Sequence, residues 1–123
     1  MKKILVLFIS VITFSGCYFD KEDQLYPKTT TGCDTTNVTF SATVLPVMQQ
    51  KCATAGCHDA LVKQSGYDLN LYADVKKCVT DNKLLPVIRQ DAGAKAMPQG
   101  GAKLDDCTIS KISAWVNRGM LNN

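Results

Sequence analysis

Two cysteines and the only histidine of the chain lie within seven residues, from Cys52 to His58. Four residues separate Cys52 from Cys57, and His58 follows Cys57 directly. Thiols on one loop can add to the two vinyl groups of haem, and an adjacent imidazole is then held beneath the iron as its proximal ligand. The common attachment motif has two residues between its cysteines, so this spacer is longer. Gly56 and two alanines make a bulge in the spacer permissible.

Two other chemistries suit the same residues. Zinc would use Cys52, Cys57 and His58 with a fourth ligand, although the adjacent Cys57 and His58 are awkward as two corners of one tetrahedron. The fourth ligand would be one of Cys33, Cys78 or Cys107. Alternatively, Cys52 and Cys57 form a disulfide and His58 has no special role.

Length and composition limit the class of protein. The chain has 123 residues, of which 46% are hydrophobic and 20% charged, so it is one modest globular domain with appendages. Its formal net charge of +3 is small and dispersed, which excludes a typical nucleic-acid binder. Six cysteines in so short a chain indicate an exported protein whose small core is stabilised by covalent bonds.

The first residues predict a targeting segment. Lys2 and Lys3 precede an apolar run that ends at Phe14, which is too short to span a bilayer. The sequence Phe14-Ser15-Gly16-Cys17 resembles a bacterial lipobox, so we expect a signal peptide over residues 1–16 and a lipid on Cys17. The alternative is an ordinary signal peptide cut nearby, which leaves Cys17 for a disulfide. Residues 17–32 are polar and aperiodic and predict a flexible tether.

The remaining residues, 33–123, predict an all-α domain of three to five helices with long loops, because no segment alternates with period two. Ser41 is the expected N-cap of a helix that runs into Lys51 and Cys52. Pro46 falls early enough to be tolerated there. Further apolar segments run from Leu69 to about Val79, from Leu84 to Ile88, and from Asp105 or Asp106 to a stop at Gly119. The stretch from Asp91 to Lys103 predicts an irregular loop.

From about Cys33 onward, the chain resembles the small cytochrome c domains of Bacteroidetes lipoproteins. The segments that carry this resemblance, besides the Cys/His motif, are Asn37 to Ser41, Val44 to Met48, Leu69 to Val75, Met97 to Gly101 and Leu104 to Gly119.

The resemblance implies that the loops wrap around one covalently bound haem c and that Met97 is the distal iron ligand. A thioether suits low-spin haem iron, which supports Met97 independently. The other two internal methionines, Met48 and Met120, lie on apolar helix faces and are expected in the core. The resemblance also favours a Cys33–Cys107 disulfide, with Cys78–Cys107 as the alternative.

The expected function is therefore one-electron transfer by a monohaem cytochrome c with His58 and Met97 as axial ligands. We expect no enzymatic activity, because the chain has no second histidine and no evident distal acid–base pair. The expected partners are redox proteins met transiently and, through the lipid, a bacterial membrane. That membrane is expected to be the outer membrane, with the domain facing the periplasm or the cell surface. There are two alternatives. One is a haem sensor or peroxidase-like protein with a displaceable Met97, and the other is a haem-free binding module held together by a disulfide or by zinc.

Overall fold

The computed structural model describes residues 32–123, and these are helical with no strand among them. A π-helical turn over Phe40–Val44 leads into α1, Leu45–Lys51. A short 3-10 turn follows at Gln64–Gly66. The other helices are α2, Tyr72–Thr80, α3, Leu84–Arg89, and α4, Asp106–Asn117. The expectation of an all-α domain with three to five helices is confirmed for the described residues.

Three expectations fall on residues that the structure does not describe. They are the signal peptide over residues 1–16, the lipidation site Cys17 and the tether as far as residue 31. Within residues 32–123, no helix has the length and hydropathy required to cross a bilayer.

The first helical segment begins two residues earlier than predicted. Thr39, rather than Ser41, is the N-cap, and its hydroxyl accepts a hydrogen bond of 3.2 Å from the N–H of Ala42. The physical reason is tertiary: Phe40 is buried and packs against Tyr72 and Trp115, with ring centroids 5.1 Å and 5.6 Å away. The chain must therefore turn before Ser41 in order to bury the Phe40 ring.

Helix α4 follows its sequence signals closely. Asp105 is the N-cap, and its carboxylate accepts hydrogen bonds from the N–H and the hydroxyl of Thr108, at 2.9 Å and 2.7 Å. Such a cap satisfies one of the free amides of the first turn. Beyond the helix, Gly119 has a φ of +89°, a conformation that glycine adopts without strain and that ends the helix as predicted.

The core lies between the first helical segment and α4, with contributions from α2 and α3. Trp115 is the largest buried side chain, and its indole N–H donates to the carbonyl of Leu121 at 2.8 Å. Met48 is fully buried, as expected, while Met120 is only partly buried against the core. The other buried apolar side chains are Val38, Phe40, Val44, Tyr67, Leu69, Val75, Cys78, Leu84, Ile88, Leu104, Ile109 and Ile112.

A disulfide joins Cys33 to Cys107, whose Cα atoms are 5.3 Å apart. This is the pairing that the sequence resemblance favours over Cys78–Cys107. The bond ties the start of the described chain to the first turn of α4. It leaves Cys78 as a buried thiol on α2.

Candidate functional site

The Cys/His motif begins where α1 ends. The carbonyl of Met48 accepts hydrogen bonds from the N–H groups of both Cys52 and Ala53, at 2.9 Å and 2.7 Å. Because the Met48 side chain is fully buried, this end of the helix is anchored in the core. Cys52 is therefore held at a defined position and packs, partly buried, against the core.

The longer spacer between the two cysteines closes into a compact loop. The N–H of His58 donates to the carbonyl of Cys52 at 3.2 Å, which brings the two ends of the motif together. Within the loop, the N–H of Cys57 donates to Thr54 at 2.9 Å, and Gly56 takes a φ of +82° that makes the turn possible. The extra residues thus form a bulge, as the sequence indicates.

Two later segments of the chain also form hydrogen bonds with this loop. The N–H of Gln64 donates to the carbonyl of Cys57 at 3.1 Å, and the N–H of Leu69 donates to the carbonyl of His58 at 2.9 Å. Leu69 is buried in the core. The backbone of Cys57 and His58 is consequently fixed on both sides.

Asp59 organises the turn that follows His58, and the sequence analysis missed it. Its Oδ2 accepts from the N–H of Gly56 at 2.8 Å, and its Oδ1 accepts from Leu61 and Val62 at 2.9 Å and 2.7 Å. The hydrogen bonds from Val62, Gly56 and Leu61 lower the pKa of this carboxyl. An Asp whose side chain can bond backbone amides two or three residues along is a sequence signal for such a turn.

The three remaining thiols differ in environment. Cys57 is exposed, Cys52 is partly buried and Cys78 is buried, and none of them forms a disulfide within residues 32–123. Burial raises the pKa of Cys52 to about 11. Burial is also the main cause that raises the pKa of Cys78 to about 11. The Cys52–Cys57 disulfide proposed as an alternative is therefore not formed in the structure.

The imidazole of His58 has an unsatisfied nitrogen. Its Nδ1 is buried and finds no hydrogen-bond partner among the described residues. A buried polar atom without a partner costs about 1–3 kcal/mol, so such atoms point to a group that would complete them. His58 is partly buried, between the exposed Cys57 and the Asp59 turn.

Met97 lies on a separate segment, after α3. Its N–H donates to the carbonyl of Val87 at 3.0 Å, which attaches this part of the loop to α3. The N–H of Gly101 donates to the carbonyl of Pro98 at 3.2 Å and closes a turn behind Met97. A Cβ at Gly101 would approach the Cβ of Pro98 to 3.3 Å, so a larger residue would crowd this turn. The Met97 side chain is partly buried, and no hydrogen bond among residues 32–123 links this segment to the Cys/His loop.

Two surface cavities, of about 570 Å³ and 270 Å³, lie away from these residues. The larger is lined mainly by α4 together with Cys33, Thr35 and Arg89, and the smaller lies between the first helical segment and α4. Neither is lined by Cys52, Cys57, His58 or Met97. Both cavities are therefore separate from the candidate site.

The zinc alternative finds no support in the geometry. In the described part of the chain, no three side chains of His, Cys, Asp or Glu come together as ligands for one metal ion. Cys33 and Cys107, two of the three candidates for the fourth ligand, are joined to each other.

The donor set of the Cys/His loop fits haem c chemically. Two thiols outside any described disulfide and an imidazole with an unsatisfied nitrogen lie on one loop with a fixed backbone. Apolar side chains are exposed just beyond His58: Leu61 is 93% exposed and Val62 is 47% exposed. An apolar macrocycle attached to this loop would present a face that covers these side chains and removes them from water.

Comparison with known proteins adds no family to this picture: no protein-family model, curated protein or solved structure matches the chain.

Proposed function

We propose that the protein is a monohaem c-type cytochrome that carries single electrons. The observation that carries this proposal is the state of the Cys/His loop. Cys52 and Cys57 remain unpaired within the described residues, beside a histidine whose buried Nδ1 has no partner there. A loop built for a disulfide would pair its thiols, and a structural histidine would satisfy its ring nitrogen.

The proposed roles follow the chemistry of each side chain. Cys52 and Cys57 would hold the haem through thioether bonds, His58 would be the proximal ligand and Met97 the distal ligand. When bound, the haem supplies a one-electron iron couple whose potential a His/Met ligand pair raises. With His58 and Met97 both as iron ligands, the chain would block access of substrates to the metal, so we propose an electron carrier rather than an enzyme.

The finer architecture is proposed on the same grounds. The loop from residue 52 to 71 would provide the proximal side of a cytochrome c-like fold, and the loop from residue 90 to 105 the distal side. Both loops are supported by backbone hydrogen bonds that attach them to helices, through Met48 in α1 and Val87 in α3.

We further propose that the protein works in the bacterial cell envelope, anchored through a lipid on Cys17. The support is the sequence Phe14-Ser15-Gly16-Cys17 behind a short apolar run. The Cys33–Cys107 disulfide is in keeping with an oxidising compartment. Its partners would be redox proteins met in small, transient contacts. Labelling of the wild-type chain by radioactive palmitate, and its loss in Cys17→Ala, would test the anchor.

The attachment of haem is tested by producing the chain in cells with a c-type haem maturation system. A pyridine haemochrome spectrum and intact mass spectrometry should show one haem that survives denaturation. Cys52→Ala and Cys57→Ala should each lose one thioether bond, and the double variant should lose covalent haem altogether. Cys78→Ala is the matched control and should keep a full complement, because Cys78 lies on α2 outside the loop. A colourless wild-type protein would contradict the proposal and favour a haem-free module.

A carbon monoxide difference spectrum of the reduced protein separates an electron carrier from a haem sensor or peroxidase. We expect no binding at neutral pH, because His58 and Met97 would both hold the iron. Rapid binding would show a displaceable distal ligand and contradict the electron-carrier assignment.

A further inference from the structure

We propose that Asp59 is a positioning residue that sets the shape of the Cys/His loop for haem attachment. This inference rests on the proposed function, because it assigns a role in the same site. It concerns a side chain that would not itself touch the haem.

The Asp59 carboxylate connects the two sides of the attachment motif. Oδ2 binds the N–H of Gly56, in the spacer before Cys57, and Oδ1 binds the N–H groups of Leu61 and Val62, after His58. Cys57 and His58 therefore lie between the two halves of one clamp. The carbonyl of Asp59 adds a further bond by accepting from the N–H of Lys63 at 3.0 Å.

Among the described residues, the Asp59 carboxylate forms its hydrogen bonds with backbone N–H groups. The ion pairs among the described residues are Lys77–Asp81 and Lys103–Asp106, and neither includes Asp59. Charge-assisted bonds to amides are stronger than neutral ones, so an ionised Asp is a suitable centre for such a turn.

The length of the spacer explains why a clamp is needed. Four residues between the cysteines leave more backbone freedom than two, and every conformation that misplaces a thiol lowers the fraction of chains ready to react. Gly56 adds to this freedom, and its N–H is one of the groups that Asp59 holds. The hydrogen bonds of Asp59 reduce the conformational freedom that the longer spacer adds to the backbone.

The same clamp fixes the backbone that carries the exposed apolar side chains beside the motif. Because the N–H groups of Leu61 and Val62 turn toward the Asp59 carboxylate, their backbone is fixed while their side chains remain at the surface. Asp59 would thus both order the thiols and present an apolar border next to them.

The experiment compares Asp59→Ala and Asp59→Asn with Asp105→Ala, all matured in cells with the haem system. Asp105 is a matched control, since its carboxylate also bonds a backbone N–H and caps a turn, but on α4. Haem per protein chain, amide hydrogen exchange and the thermal midpoint would be measured on each purified protein.

We expect Asp59→Ala to attach haem about tenfold less efficiently than wild type, and to exchange the amides of Gly56, Leu61 and Val62 about tenfold faster. Asp59→Asn should fall between the two, because an amide side chain accepts through one oxygen only and keeps half of the clamp. Asp105→Ala should lower the thermal midpoint yet attach haem as wild type does.

The outcomes are distinguishable. If wild type carries haem and Asp59→Ala attaches it as well as Asp105→Ala, the positioning role is wrong and the proposed function stands. If wild type carries no haem, both proposals fail. If Asp59→Ala does not fold, Asp59→Asn decides the question, and full attachment in that folded variant overturns the role.

Discussion

The side-chain oxygen of Asn123 accepts a hydrogen bond of 2.9 Å from the backbone N–H of Phe40. The carbonyl of Asn123 accepts a second, also of 2.9 Å, from the N–H of Ser41. These are amides of the first helical turn, which have no partner within the helix itself. Residue 123 therefore caps the segment that begins the helical domain.

Replacing Asn123 with Ala should destabilise the domain modestly. The variant loses the side-chain bond to Phe40 and leaves its amide without that partner, at an expected cost of about 0.5–1.5 kcal/mol. Urea denaturation followed by circular dichroism would measure this change. Asn122→Ala is the control and should have the same urea midpoint as wild type, because it leaves in place both hydrogen bonds that Asn123 accepts. Equal midpoints for all three proteins would show that the cap contributes nothing.

Removing the disulfide should cost more than removing the cap. Cys33 and Cys107 are 74 residues apart, so their bond restricts most of the unfolded chain. We expect Cys33→Ser/Cys107→Ser to lose about 2–4 kcal/mol of stability. Thermal denaturation with and without reductant provides the check: reductant should lower the midpoint of wild type and leave the double variant unaffected. If reductant left the thermal midpoint of wild type unchanged, the disulfide would not contribute the expected stability.

Acid should destabilise the domain through carboxylates that are hydrogen-bonded when folded. Asp81 accepts from Lys77 and from the hydroxyl of Tyr67, and these bonds lower its folded pKa below its ordinary 3.8. A lowered pKa stabilises the fold fully above the unfolded value, and that contribution is lost as pH falls through the folded value. The urea midpoint should therefore change little from pH 7 to 5 and fall below about pH 4.

Asp81→Asn isolates this contribution. The variant should be less stable than wild type at pH 7 and should lose less of its stability on acidification. The remaining loss belongs to Asp34, Asp59 and Asp105, whose pKa values are lowered by hydrogen bonds of their own. An acid response as large in Asp81→Asn as in wild type would refute the role given to Asp81.

The parts of the fold that the sequence predicts well depend on local signals. Asp105 and Gly119 mark the ends of α4 correctly, because a cap and a stop act within one helical turn. The first helix is misplaced by two residues because its start depends on residues far along the chain. Phe40 packs on Trp115 and its amide bonds Asn123. Neither contact produces a sequence signal in the residues around Ser41.

The candidate site divides in the same way. The thiols of Cys52 and Cys57 and the adjacent His58 are recognisable from spacing alone, because all three occupy one loop. The Asp59 turn has a local sequence signal, an Asp that can bond amides two or three residues away, whereas the attachment of Met97 to Val87 exists only once the loops have folded. Periodicity does not report that contact, since it joins an irregular loop to a helix.

The reactivity of the cysteines should follow their burial. In a secreted version without residues 1–17 and made without haem, alkylation at pH 8 should modify Cys57 first. At that pH, Cys52 and Cys78, with pKa values raised to about 11, would hold about one thiolate in a thousand. Peptide mass spectrometry after timed exposure to iodoacetamide would give the order.

The haem-matured protein should behave differently from this haem-free form. There Cys52 and Cys57 would be thioethers, so only Cys78 should react, and only after the domain is unfolded. Alkylation of Cys52 or Cys57 in fully matured, unfolded protein would contradict attachment at that residue.

Met97 should be the methionine whose loss changes the haem. In the matured protein, Met97→Ala should abolish the Met–iron charge-transfer band near the red edge of the visible spectrum and lower the reduction potential. The spectrum of the oxidised protein and a redox titration would measure both effects. The variant should remain folded, because Met97 is only partly buried and lies outside the core cluster.

Two other methionines serve as controls for this ligand. Met120→Ala removes a partly buried thioether beside the core, and Met48→Leu replaces a fully buried one with a residue of similar volume. Both variants should keep the band, because Met48 packs in the core and the Met120 carbonyl accepts from the Tyr72 hydroxyl at 2.7 Å, which fixes its backbone. A band that survives in Met97→Ala and disappears in one of these variants would transfer the distal position to that methionine.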